Sequence, residues 1–252
     1  MAPHANRASA LLFKSIAISK QHTPTPLSAH PSSWDNATMK TVHSTTKLSE
    51  TDAQEIKGIV SQGGVIVLPT DTVYGIGADP YSTDAVNAVL RAKGRGRQMP
   101  PPVLISSPKD AEKVSLELNN CARALIENLW PGALTLITKS VPNIRFDLGD
   151  IKDTIAIRMP DHPVTLDILR HTGPLAVTSA NLTGMPPATS IDQAVKYFGE
   201  DVACYIDSGP TPGPVPSTII DVTGEQPVLL RSGAIDVSVI EDICGQKVIT
   251  RP

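Results

Sequence analysis

Thr72, Lys93, Arg95, Thr154, Arg158, Ser179, Asn181, Ser217 and Arg231 each fall where an expected strand or helix ends, with hydroxyls and cations in excess and no His or Cys among them. Such a set suits anion binding better than nucleophilic catalysis. A phosphate-rich ligand needs cations to neutralise it and hydroxyl or amide donors to orient it, and phosphoryl or nucleotidyl transfer asks little more of a protein. Neither GxxxxGK[ST] nor a GxGxxG after a strand is present, so the P-loop and the dinucleotide fingerprint do not apply. The residues alone therefore point to an α/β enzyme that binds an anion, a nucleotide being one such ligand.

The elements that must position these groups can be read in order. Ser49 and Asp52 are spaced as a capping box opening a helix that Gly63-Gly64 ends. Val65 to Leu68 form an apolar run without alternation, as in a strand buried on both faces, and Pro69 stops it. Thr70, Asp71, Thr72 and Tyr74, with the free amides of Gly75 and Gly77, then crowd the strand's C-terminal end, where α/β sheets bind ligands. Ser82 caps a helix with Val86, Val89 and Leu90 on one face; Lys93 continues that face, and Gly94 turns the chain toward Arg95, Arg97 and the strand Val103 to Ile105. Lys93 as a complement to the helix dipole, with Arg95 and Arg97 solvated, is an alternative these residues leave open.

Helices follow from Ser107-Pro108 and from Asn119 or Asn120 to Leu129, then a break at Trp130-Pro131-Gly132, a strand Leu134 to Thr138 and an exposed loop to Lys152. Thr154 to Arg158 alternates, so Thr154, Ala156 and Arg158 share one strand face and the isoleucines the core. Arg158 is either paired with a carboxylate for structure or offered to an anion. After a helix from Pro163 to Leu169, the strand Leu175 to Val177 delivers Thr178-Ser179-Ala180-Asn181 into a loop that reads equally as an ordinary turn. A helix from Ser190 to Phe198, strands at Val202 to Ile206, Ser217 to Val222 and Val228 to Arg231, and a helix from Val237 to Ile243 complete the chain.

The 252 residues, 40% hydrophobic, suffice for one large domain, and the net charge of −3 gives no global attraction to nucleic acid or anionic lipid. An aromatic content of 4% argues against a base-stacking single-strand binder, and no apolar run is long enough to span a bilayer. Cys121, Cys204 and Cys244 are odd in number and widely spaced in apolar surroundings, which indicates neither a disulfide framework nor a metal site and fits a reducing cytoplasm. Residues 1–38 form a basic, Ser- and Pro-rich extension, read as a disordered tail, a mitochondrial transit peptide, or translation upstream of a start at Met39. Residues 39–252 are read as one catalytic domain.

Six motifs occur together in order: LPTDTVYGIG at 68–77, KGR at 93–95, WPGALT at 130–135, TIAIRMPDHP at 154–163, TSANLTGMP at 178–186, and STIIDV with LLRSG near the end. In this combination the chain resembles the YrdC-like family of threonylcarbamoyl-AMP synthases, from about Leu48 to Ile243. The resemblance implies a twisted mixed α/β sheet with helices around a large concave basic cavity. The implied activity converts L-threonine, bicarbonate and ATP to L-threonylcarbamoyl-adenylate and pyrophosphate, for a separate transferase that modifies tRNA beside the anticodon. Thr72, Arg158, Ser217 and the backbone at Val177 would hold threonine. Lys93, Arg95, Thr154, Ser179, Asn181 and Arg231, with backbone at Met99 and Pro187, would hold ATP, and Lys93, Arg95, Ser179 and Asn181 would serve the chemistry. Mg²⁺ would arrive with ATP and no metal would be held by the protein itself. Weak binding of double-stranded RNA is an accompanying expectation, and an RNA-binding or ribosome-maturation module without ATP turnover is the rival function. A His that some members use to contact threonine would fall near Leu104 here.

Overall fold

The computed structural model describes residues 39–250, so the extension expected over residues 1–38 lies outside the described residues. In chain order the elements are β1 (Lys40–His43), α1 (Glu50–Ser61), β2 (Ile66–Leu68), β3 (Gly75–Ala78), α2 (Thr83–Ala92), β4 (Val103–Leu104), α3 (Pro108–Val114), α4 (Asn120–Leu129), β5 (Leu134–Lys139) and β6 (Thr154–Arg158). They continue with α5 (Pro163–Thr172), β7 (Leu175–Ser179), α6 (Ile191–Phe198), β8 (Cys204–Asp207), β9 (Thr218–Asp221), β10 (Val228–Arg231), α7 (Val237–Cys244) and β11 (Ile249–Thr250). The strands make one mixed sheet of 11, ordered β1-β8-β2-β3-β7-β4-β6-β5-β9-β10-β11.

Strand alternation sorts the core onto the two faces. Ile66 and Leu68 of β2, with Cys204 and Ile206 of β8, pack against α1 and α5. Val65, Val67 and Tyr205 pack instead with α2 and α6. Further along the sheet, Leu134, Leu136, Ile155, Ile157 and Ile220 join α3, α4 and α7 in a third cluster. The residues between them, Thr135, Arg158 and Ile219, project to the opposite face, and that face carries the candidate site.

The helix ends obey the local chemistry expected of them. Ser49 and Asn119 accept from the amides of Asp52 and Ala122 at 3.1 and 2.8 Å, Pro108 occupies the first turn of α3, and Gly94 takes the left-handed turn at φ 62°. Ser190 stands at the start of α6, yet its hydroxyl makes no cap hydrogen bond.

Three expectations are corrected. The amides of Gly75 and Gly77 are not free at a strand end; they belong to β3, paired antiparallel with β2 and β7. A Cβ on either glycine would sit 2.6 Å from Val177, so only glycine lets β7 approach this closely. Cys121 and Cys244 form a disulfide, contrary to the expectation of no disulfide framework, so cysteine usage no longer argues for a reducing cytoplasm: each lies on one of two packed helices, α4 and α7, and a separation of 123 residues conceals that proximity in the sequence. The edge strands β1 and β11 are the third: neither was expected from the sequence, and both consist mostly of exposed or half-buried residues rather than an apolar run.

Candidate active site

The turn after β2 is built on one hydroxyl. Thr70 Oγ1 donates to the Val73 carbonyl at 2.6 Å and accepts from the Thr72 and Val73 amides, so side-chain bonds replace the ladder that Pro69 ended. This turn presents Asp71 and Thr72 to Arg158 at the last position of β6. The Arg158 guanidinium donates from Nη2 to Asp71 Oδ1 at 2.6 Å, from Nη1 to Thr72 Oγ1 at 3.0 Å, and from Nε to the Gly132 carbonyl at 2.9 Å. The WPG turn thus serves the site through a backbone oxygen. Burial lowers the Arg158 pKa and Asp71 opposes that shift, leaving a charged guanidinium.

Arg95 and Arg231 reach the same cavity from the loop after α2 and the end of β10. The cavity encloses about 590 Å³ including its mouth, and Arg95, Arg158 and Arg231 line it together with Thr72, Thr135 and Ser217. Leu104, at the position where some relatives were expected to place a His, contributes an apolar wall beside Pro102 and Val177. Arg231 donates from Nε and Nη2 to the Ser217 carbonyl at 3.0 and 2.8 Å, and Ser217 Oγ lies 2.8 Å from Thr135 Oγ1. Arg95 holds Thr178 Oγ1 at 3.1 Å, while its Nε is buried without a partner. Burial lowers Arg95 to about 10; burial, then repulsion from Arg158 and Arg95, lowers Arg231 to about 10. Both remain cationic at neutral pH. No Asp or Glu is among the lining residues, so the cavity offers donors and positive charge to its occupant.

Lys93 behaves differently. At the C-cap of α2 it is 3% exposed and leans into the protein, donating to the carbonyls of Ser179 and Asn181 and to Asn181 Oδ1 at 3.4 Å. Ser179 Oγ in turn donates to Asn181 Oδ1 at 2.6 Å, and the Lys93 carbonyl accepts from Thr183. Burial, then Arg95, pushes the ammonium down to about 7, while the carbonyls of Ser179 and Asn181 bond its charged form more strongly than a neutral amine. Lys93 therefore latches the 179–183 loop from behind, so that of this group only Ser179 lines the cavity.

Of the residues expected from the sequence, Thr72, Arg95, Arg158, Val177, Ser179, Ser217 and Arg231 converge on one cavity. Lys93, Met99, Asn181 and Pro187 do not line it. Thr154 lines a smaller cleft with Pro100, Pro101, Ile137, Leu148, Ile155 and Ala156. Strand alternation puts Thr154 on the Arg158 face, roughly 13 Å away at about 3.3 Å per residue. Sequence reasoning missed Thr135 as a lining group because it is the second residue of β5, at the strand's entry rather than at the C-terminal end where ligand groups were sought. Asp71 was seen only as part of a polar turn.

An open face on a mixed α/β sheet, lined by three guanidinium groups and by hydroxyls from separate strands, defines an α/β protein with a cavity chemically suited to anions. The chain belongs to the Sua5/YciO/YrdC family, whose model, described as telomere recombination, matches residues 58–233. A Mycobacterium tuberculosis protein provisionally named threonylcarbamoyl-AMP synthase is 45% identical over 75% of this chain and 87% of its own. The threonylcarbamoyl-AMP synthase of Bacillus subtilis is 38% identical over 80% of this chain and 59% of its own length. The crystal structure of Pyrococcus abyssi Sua5 complexed with L-threonine superposes with a TM-score of 0.77 at 33% identity, covering 84% of this chain and 62% of that one.

Proposed function

We propose that the protein is an L-threonylcarbamoyladenylate synthase: it joins L-threonine, bicarbonate and ATP to give threonylcarbamoyl-adenylate and pyrophosphate, in the service of threonylcarbamoyladenosine formation in tRNA. The observation that carries this reading is the convergence of Thr72, Arg95, Arg158, Ser217 and Arg231, from separate elements, on one cavity with no carboxylate in its lining. The names of the relatives and the threonine-bound archaeal neighbour support it over an RNA-binding module without turnover.

In this reading the threonine carboxylate meets the two N–H groups that Arg158 has left after Asp71, Thr72 and Gly132, and its amine captures bicarbonate or carbon dioxide as a carbamate. A carbamate oxygen attacks the α-phosphorus, the bond to the bridging oxygen breaks, and pyrophosphate leaves with the electron pair. Arg95 and Arg231 stabilise the charge that gathers on the phosphates, and the hydroxyls of Ser179 and Ser217 align the reactants. The nucleoside end extends along the same sheet face toward Thr154. The cavity lining holds hydroxyls and guanidiniums but no carboxylate, so Mg²⁺ would come with ATP and would supply charge neutralisation on the phosphates alongside Arg95 and Arg231. The downstream partner is a tRNA threonylcarbamoyl transferase, weak RNA binding accompanies delivery, and the cytoplasm is the site of action unless residues 1–38 direct mitochondrial import. No helix among the described residues is long and apolar enough to cross a membrane.

The test is pyrophosphate release from ATP and bicarbonate, with and without L-threonine, by protein beginning at Met39 and by the full chain. Threonine-dependent release that is lost in folded Arg158→Ala upholds the reading. Release indifferent to threonine assigns another acceptor, and no release from either folded protein favours the RNA-binding rival.

A further inference from the structure

The three cavity guanidiniums differ in what neutralises them. Among the described residues the arginine ion pairs belong to Arg97, Arg123 and Arg158, so Arg95 and Arg231 have no carboxylate at ion-pair distance. Arg158 has Asp71, at 2.6 Å, with side-chain exposures of only 8% and 15%. Water screens such a pair weakly, so Arg158 with Asp71 is close to neutral while Arg95 and Arg231, in the same cavity, carry two uncompensated charges.

We infer that Asp71 determines which anion goes where: it positions the Arg158 fork for a monoanionic carboxylate and excludes polyphosphate from that subsite, confining the phosphates to Arg95 and Arg231. This assignment rests on the synthase reading of the same cavity. A carboxylate taking the two remaining Arg158 N–H groups gains a charge-assisted fork at little net repulsion, because one negative charge replaces water beside a balanced pair. A triphosphate laid against Arg158 would bring several negative charges beside Asp71 in a poorly screened pocket. His162, near Asp71 at the start of α5, is held neutral by burial and does not cancel the Asp71 charge at neutral pH. Without Asp71 the three guanidiniums become equivalent attractors, and a polyanion can occupy the acceptor's place.

The experiment is calorimetric titration of the full chain with inorganic triphosphate and with L-threonine, each alone and in the presence of the other, for the wild type, Asp71→Asn, Asp71→Ser and Asp71→Glu. In the wild type, triphosphate binds without displacing threonine. Either charge-removing variant is expected to bind triphosphate more tightly, by about tenfold, and to show competition between triphosphate and threonine, while Asp71→Glu keeps the wild-type pattern. Thr72→Val, which removes a bond to the same guanidinium without changing charge, weakens threonine binding but introduces no competition. Displacement of threonine by triphosphate in the wild type overturns the inference even if no charge-removing variant folds. So does a folded Asp71→Asn whose triphosphate affinity and lack of competition are unchanged. Absence of threonine binding by the wild type, under saturating ATP and bicarbonate as well as alone, would sink the synthase reading instead. A tightening of triphosphate in Asp71→Asn would still report the charge partition in that case.

Discussion

Arg95 and Arg97 stand two residues apart in one glycine-bounded loop, yet their side chains have opposite fates. Arg97 is tied up: Nη1 donates to Asn87 Oδ1 at 2.6 Å, Nη2 to Asp147 Oδ1 at 2.7 Å, and its carbonyl accepts from the Asp150 amide. Arg95 makes one side-chain hydrogen bond, keeps a buried Nε without a partner, and lines the cavity. The difference teaches that a basic motif is not itself a binding site. Arg97, held by partners outside the cavity, contributes order, and Arg95, on the cavity wall with no carboxylate partner, contributes affinity for whatever anion arrives.

The comparison breaks most visibly at Arg95→Ala. Removing a cation that the fold scarcely uses should cut threonine-dependent pyrophosphate release by about a hundredfold or more while leaving the midpoint of urea unfolding nearly unchanged. A large loss of stability with modest loss of turnover would reverse the roles assigned to the two arginines. Gly233→Ala is expected to harm both quantities. A Cβ there would lie 2.4 Å from Pro216 O, Ser217 C and Thr218 N, all backbone atoms, so the segment that receives the Arg231 bonds must move. A destabilisation of about 1–3 kcal/mol by overpacking, with turnover falling roughly tenfold, is the outcome to check by urea unfolding and steady-state assay.

Lys93 sharpens the comparison through pH. Its folded pKa, about 7, lies below the ordinary 10.5, so between those values the unfolded chain carries a proton that the folded one has shed. Lys93 thus opposes folding most below pH 7, and that penalty recedes as pH rises toward 10.5. Function runs the other way, because the Ser179 and Asn181 carbonyls bond the ammonium more strongly than a neutral amine. We expect an alkaline limb near pH 7 in kcat/KM, displaced to higher pH in kcat because bound ATP favours the charged form. A profile flat from pH 6 to 9 would show that the loop keeps its shape without the charge.

What the sequence disclosed follows from how local each cause is. Caps at Ser49, Ser82 and Asn119, the left-handed turn at Gly94 and the face change along Thr154–Arg158 are set by a few neighbouring residues, and all were legible. The Cys121–Cys244 bridge and the β3 pairing with β7 depend on chain segments far apart in sequence, and neither leaves a local pattern. At the site, strand-end hydroxyls and cations could be picked out by type and place. Which of them the fold itself consumes could not, because Lys93 and Arg97 differ from Arg95 only in the partners that tertiary packing brings to them.

The smallest effect belongs to Arg97→Ala, and its smallness is the point. The loop following β5 is pinned by more than one hand: Asp147 also accepts from Lys152 Nζ at 2.7 Å and Thr83 Oγ1 at 2.8 Å, and backbone bonds join Asp147 to Pro80 and Asp150 to Arg97 itself. Lys152 foremost, then Thr83 and Arg97, hold the Asp147 carboxyl well below its ordinary 3.8, so this stabilisation is complete above that value and is lost as pH falls beneath it. Arg97 is 33% exposed, and water offsets much of what its charges gain. The variant should therefore lose about 1 kcal/mol in urea unfolding at neutral pH, less in acid, and retain turnover within about threefold. Loss of turnover on the Arg95→Ala scale, with stability intact, would mean that Arg97 leaves Asp147 to meet the phosphates in the working enzyme, and the division between the two arginines would fall.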